Sequence, residues 1–167
     1  GVGFHGYQAF ELEPEAQRAV VLETAKRVIQ FHDQLAAHGV ELIVVLLPYE
    51  MQISDEAARV YASHGIHWEP GFLDGSTQRI LTEALAPHLR VIDLMPAFVD
   101  PADPAGSRAA NGVGEFFVYD RGDKLDWNHP NREGHRRIAE YLERVALLGP
   151  PGPRSGMPIV AKSAGTQ

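Results

Sequence analysis

The sequence contains no cysteine, which excludes disulfide frameworks, thiolate nucleophiles and cysteine-ligated zinc sites. Basic residues are outnumbered, with 15 Lys and Arg against 22 Asp and Glu, for a net charge of −7. No basic stripe offsets this balance, so no nucleic-acid partner is expected. The longest apolar run, LIVVLLP at 42–48, is far shorter than the roughly 20 residues of a membrane-spanning helix. The length of 167 residues and a composition of 44% hydrophobic and 22% charged residues are typical of one globular domain.

Apolar periodicity predicts helices that alternate with strands. Pro14 and Gly39 mark the beginning and the end of a long first helix. Ser54 is predicted to cap a second helix that ends near Gly65, and Asn131 to cap the last one. Another helix is predicted over 76–86. Continuous apolar runs at 41–48 and 90–95 are typical of parallel strands that are buried on both faces.

This order of elements predicts a parallel α/β sheet covered by helices. Two strands are fewer than such a sheet usually contains, so we expect a sheet without its N-terminal strands. Residues 100–114 are expected to form a loop, and 114–120 a short strand or an extended segment. The domain is assigned to 1–148, followed by a disordered Pro/Gly-rich tail at 149–167. We expect a segment before Gly1, and an export signal or membrane anchor would belong to it, so the compartment stays open.

The loop DWNHPN, residues 126–131, contains the strongest candidate for catalysis. Pro130 disfavours a helical backbone at His129, which therefore lies on the loop directly before the last helix. Asp126 can approach His129 across a turn and accept its Nδ1 proton, which leaves Nε2 to act as a general base. The same residues also suit a plain polar turn in which neither side chain is catalytic.

The segment DWNHPNREGHRRIAEYL, residues 126–142, resembles the last block of the SGNH hydrolases, also called GDSL esterases. The stretches GVELIVVLLP and RVIDLMPAF are similar to strands that precede this block in the family. The resemblance covers about residues 15–145. It implies a flavodoxin-like three-layer α/β/α sandwich and ester hydrolysis or acyl transfer by a Ser–His–Asp triad. His129 would be the general base and Asp126 the residue that orients it.

The nucleophile of this family belongs to a Gly-Asp-Ser block on the first strand, and no segment of the chain matches it. DGS at 74–76 has the wrong order and follows no strand. The oxyanion-hole Gly and Asn cannot be assigned either. We therefore expect the chain to be the C-terminal part of such a hydrolase, inactive without the N-terminal part of its own domain.

Other residues are candidates for the substrate pocket. Tyr49, Glu50 and Gln52 follow the first strand at its carboxyl end, where ligands of parallel sheets bind. Trp127 either walls an acyl pocket or braces the loop. The expected substrate is a small-molecule, lipid or glycan ester.

Other acidic and histidine residues near His129 are also candidates for the site. Asp120 and Asp123 are alternative partners for His129. His135 is expected in the first helical turn, packed or in solvent, so no metal site is predicted, and no cofactor is expected.

Two non-catalytic functions also fit the sequence. Some domains of this architecture bind carbohydrate or partner proteins without any chemistry. A naturally short, inactive paralogue of an esterase is the other alternative. A strand followed by Gly-Asp-Ser upstream of Gly1 would favour the hydrolase over both.

Overall fold

The computed structural model describes residues 14–119 and 129–147. These two ranges form a mixed α/β fold with a parallel pair of strands. The elements, in chain order, are α1 (Pro14–Ala36), β1 (Ile43–Leu46), α2 (Glu50–Ile53), α3 (Asp55–Ser63), α4 (Ser76–Leu85), β2 (Arg90–Asp93), α5 (Pro104–Ala110) and α6 (Arg132–Leu142). Short 3-10 turns lie at Pro70–Phe72 and Met95–Ala97, and a π-helical turn, Glu143–Leu147, extends α6.

Strands β1 and β2 pair directly and in parallel, as predicted from their continuous apolar runs. The register places Ile43 opposite Arg90 and Leu46 opposite Asp93. The amide of Leu94 donates to the carbonyl of Leu46 at 2.9 Å, so pairing continues one bond past the named strands. The carboxyl ends of both strands therefore meet at one edge of the sheet.

Alternate residues of the strands pack against different helices. Val44 and Val91 lie in a cluster with Ala25 of α1 and Leu85 of α4. Ile92 belongs to a separate cluster on which Ile138 of α6 and its neighbours pack. Because successive side chains of a strand point to opposite faces, α1 and α4 cover one face and α6 the other.

Within residues 14–119 and 129–147, one face of strand β1 is left partly uncovered. Ile43 is 40% exposed and Val45 44%, although both are β-branched residues of a parallel strand. On α1, Val20 and Phe31 are 53% and 52% exposed. The prediction that β1 is buried on both faces, as parallel strands normally are, is therefore wrong for Ile43 and Val45.

The predicted loop at 100–114 is wrong, because it contains α5. Asp103 caps this helix by accepting a hydrogen bond from the amide of Gly106 at 3.0 Å. Pro104 occupies the first helical position, where its missing N–H costs nothing. The Pro-, Gly- and Ser-rich composition favoured a loop, although Asp103 followed by Pro104 is a typical start of a helix.

Smaller differences concern element ends. Helix α4 covers Ser76–Leu85 of the helix predicted over 76–86, and Gly75, with a φ of +70°, is the residue before it. Segment 114–119 forms no strand among the described residues, but Phe117 makes one antiparallel bridge with Pro130. The tail at 149–167 lies outside the described ranges.

Candidate active site

The start of α6 is fixed to segment 114–118 by backbone hydrogen bonds. The amide of Val118 donates to the carbonyl of His129 at 2.8 Å, and the amide of Asn131 donates to the carbonyl of Phe116 at 2.9 Å. His129 lies directly before Pro130 and ahead of α6, as predicted, and it is exposed. The backbone that follows the imidazole of His129 is therefore held in place, and the side chain itself is exposed.

Asn131 organises this junction with both ends of its side chain. Its Oδ1 accepts from the amides of Glu133 at 2.9 Å and Gly134 at 3.0 Å, which confirms it as the cap of α6. Its Nδ2 donates to three carbonyls at 2.9 to 3.1 Å, those of Gly114, Glu115 and Phe117. One side chain thus provides an acceptor for the amides at the start of α6 and a donor for three carbonyls of segment 114–118.

Gly134 lets α6 approach this loop closely. A Cβ at this position would lie 2.1 Å from the carbonyl oxygen of Phe116 and 3.0 Å from a side-chain carbon of Pro130. Since real Cβ atoms do not come this close to backbone, only glycine permits the observed contact. The glycine of the predicted His-Pro-Asn-x-x-Gly stretch is therefore a packing requirement at the base of His129's loop.

Glu50 connects the carboxyl end of β1 to segment 114–118. It lies four residues after the end of β1, and it is 1% exposed. Its Oε1 accepts from the amide of Gly114, and its Oε2 accepts from the hydroxyl of Tyr61, which is fully buried. Burial raises the pKa of Glu50, the two hydrogen bonds oppose that rise, and the nearby carboxylate of Glu56 adds to it.

Gln52 is likewise engaged inside the protein. Its Oε1 accepts from the amide of Tyr49 at 2.8 Å, and it exchanges hydrogen bonds with the amide side chain of Gln78. Its Nε2 also donates to the carbonyl of Phe72 at 2.8 Å. Glu50 and Gln52 therefore brace the loop after β1, and substrate binding by either of them stays a prediction. Tyr49 is half-buried, and burial raises its pKa.

Asn111 joins the loops that follow the two strands. Its Nδ2 donates to the carbonyls of Ile53 at 2.9 Å and Phe98 at 3.1 Å. The carbonyl of Asn111 in turn accepts from the hydroxyl of Ser54 at 2.7 Å. Ser54 also caps α3, as predicted, by accepting from the amide of Ala57 at 3.1 Å. Sequence reasoning missed Asn111, because no local pattern reveals a partner more than fifty residues away.

An open depression of about 520 Å³ lies beside the start of α6. It is lined by Asn131, Arg132, Glu133 and Arg136. Arg136 bonds to Glu133, and this contact lowers the pKa of Glu133. The lining residues therefore follow His129 closely in the sequence, and they include charges of both signs.

Several predicted site residues fall outside the described ranges. Asp126 and Trp127 are among them, as are the alternative partners Asp120 and Asp123. The hydrogen bond between Asp126 and His129 consequently stays a prediction. His135 is exposed in the first turn of α6. No three His, Asp or Glu side chains within 14–119 and 129–147 are grouped so as to hold a metal ion.

Comparison of the chain with models of protein families, with curated proteins and with solved structures yields no match. Over the residues described, none of the helices combines the length and apolar character needed to cross a bilayer.

Proposed function

We propose that the protein is a serine esterase or acyl hydrolase of the SGNH type. In this proposal the α/β fold is a three-layer sandwich, His129 is the general base, and Asp126 orients it. The observation that supports the proposal is the position of His129. It directly precedes Pro130 and α6, whose start is tied through Asn131 and its neighbours to the loop after β1. Ligands of parallel α/β sheets bind outside the carboxyl ends of the strands.

The proposed chemistry assigns one task to each group. Nε2 of His129 accepts the proton of a serine hydroxyl as the serine oxygen attacks the ester carbonyl. The resulting imidazolium then gives that proton to the departing alcohol, and an acyl-enzyme forms. Water or a second alcohol attacks the acyl group with His129 again as the base, which restores the serine. Asp126 accepts a hydrogen bond from Nδ1–H throughout and stabilises the imidazolium.

The serine belongs to strands that the proposal places next to β1. The exposed side chains of Ile43 and Val45 support this placement, because a further strand and its helix would cover them. These strands would carry the Gly-Asp-Ser block and the oxyanion-hole groups. The N-terminal part of its own domain is therefore the first partner of this chain.

The substrate is an ester of a small molecule, a lipid or a glycan, and no cofactor takes part. Tyr49 and Trp127 are proposed to wall the acyl pocket. Hydrolysis and transfer of the acyl group to a sugar hydroxyl use the same triad and differ only in the acceptor.

The test compares variants in the protein that includes the residues encoded before Gly1. His129→Ala should lower kcat for p-nitrophenyl acetate by about 10³-fold or more, and Asp126→Asn should also lower it strongly. His135→Ala is the matched control, because this second exposed histidine lies six residues later on α6. Near-normal turnover of His129→Ala would refute the proposal. Absence of esterase activity in every form, with retained glycan binding, would favour a non-catalytic binding module.

A further inference from the structure

We propose that Glu50 is a positioning residue for His129, acting through Gly114 and Asn131. This inference rests on the proposed esterase function. It adds a residue that the predicted triad does not contain, and it assigns a role to a buried carboxylate that is bonded to Tyr61 of α3 and to Gly114.

Two hydrogen bonds in series connect Glu50 to Asn131, which stands two residues after His129. Oε1 of Glu50 accepts from the amide of Gly114, and the carbonyl of the same glycine accepts from Nδ2 of Asn131 at 2.9 Å. Oδ1 of Asn131 then holds the first turn of α6. Gly114 is the central link, and its φ of +75° is a conformation that favours glycine.

The environment of Glu50 makes this link sensitive to the carboxylate. Glu50 is 1% exposed, so water cannot replace a lost partner without a change in packing. The hydroxyl of Tyr61 occupies the other carboxylate oxygen, so both oxygens are held. Removal of the carboxylate would leave the amide of Gly114 and the hydroxyl of Tyr61 without their acceptor, and we expect segment 114–118 to shift.

Glu56 of α3 provides a matched control, because it holds the amide next to that of Gly114. Its Oε2 accepts from the amide of Val113 at 3.0 Å, one residue before Gly114. Unlike Glu50, Glu56 is exposed, so water can take over this hydrogen bond. Both glutamates hold neighbouring backbone amides, and the pair differs in burial and in the link to Asn131.

The first experiment measures turnover of p-nitrophenyl acetate by the complete protein. Because a displacement of about 1 Å at a reacting group can cost on the order of 10²-fold, Glu50→Ala should lower kcat by about 10- to 100-fold. KM should change less than about twofold, since Glu50 does not reach solvent. Glu50→Gln should restore most of kcat, because its amide oxygen still accepts from Gly114. Glu56→Ala should leave both constants nearly unchanged.

The second experiment does not depend on activity. Hydrogen exchange at the amides of Val118, Glu133 and Gly134 should accelerate in Glu50→Ala and stay unchanged in Glu56→Ala. If Glu50→Ala does not fold, Asn131→Asp replaces it. That variant keeps an oxygen that caps α6 and loses the Nδ2 donor to the carbonyls of Gly114, Glu115 and Phe117, so it should lower kcat at least as much.

The outcomes separate this inference from the proposed function. Full kcat in Glu50→Ala together with loss of activity in His129→Ala would overturn the role of Glu50 and leave the esterase standing. A kcat loss that Glu50→Gln fails to restore would also overturn it, because burial alone would then explain the effect. Full activity in His129→Ala would overturn the proposed function, and the role of Glu50 with it.

Discussion

Replacement of Gly134 with Ala should strongly destabilise the protein. The new Cβ would meet the carbonyl oxygen of Phe116 at 2.1 Å, more than 1 Å inside ordinary contact, and this oxygen belongs to backbone that accepts from Asn131. Relief of the clash requires α6 to move away, at roughly 1–3 kcal/mol for overpacking and about 1 kcal/mol for each weakened hydrogen bond. Alanine returns about 1 kcal/mol through its helix propensity. With the one hydrogen bond from Asn131 to Phe116 weakened, the net loss should be about 1–3 kcal/mol.

Urea denaturation followed by circular dichroism measures this loss in the chain as it stands. Gly112→Ala is the control, because a Cβ there would have only ordinary contacts, the nearest at 3.6 Å from Glu56. It should change the free energy of unfolding by less than about 0.5 kcal/mol. An unchanged or higher unfolding midpoint for Gly134→Ala would show that α6 does not approach segment 114–118 as closely as described.

Three further predictions address the carboxylate, the loops and the sheet. Because burial raises the folded-state pKa of Glu50, stability due to its bound proton is present at low pH and lost as pH rises through that pKa. The difference in the free energy of unfolding between wild type and Glu50→Gln should therefore shift in favour of wild type as pH falls from 7 towards ~4.3. A difference that does not change with pH would refute this. Asn111→Ala leaves the carbonyls of Ile53 and Phe98 without their donor and should cost about 2–4 kcal/mol in urea melts; a loss under about 0.5 kcal/mol would contradict the bridge. Val45→Ser should cost less than about 1 kcal/mol in urea melts, whereas a cost typical of a core position would show that this face is covered.

The sequence was informative where local physics decides the structure. The strands at 43–46 and 90–93 and their parallel pairing follow from apolar runs with helical segments between them. The caps Ser54 and Asn131 follow from side-chain chemistry at helix starts. The position of His129 ahead of α6 follows in the same way from the restriction that Pro130 imposes.

The sequence was uninformative where distant segments meet. The link from Glu50 to Gly114 spans 64 positions, and that from Asn111 to Ile53 spans 58. No periodicity encodes such pairs, so the sequence did not reveal that the side chain of Glu50 is buried and bonded to Gly114. Helix α5 was missed because glycine, proline and serine outweighed the signal of Asp103 followed by Pro104.

Covalent labelling with a fluorophosphonate tests the central claim most directly, because the probe reacts with a serine that a general base activates. In the protein that includes the residues encoded before Gly1, mass spectrometry should find one adduct, on the serine of a Gly-Asp-Ser block upstream of Gly1. Labelling should be abolished in His129→Ala and retained in His135→Ala, and the chain that begins at Gly1 should not react. Equal labelling of wild type and His129→Ala, or no adduct in any form, would contradict the claim that His129 is the base of a serine hydrolase.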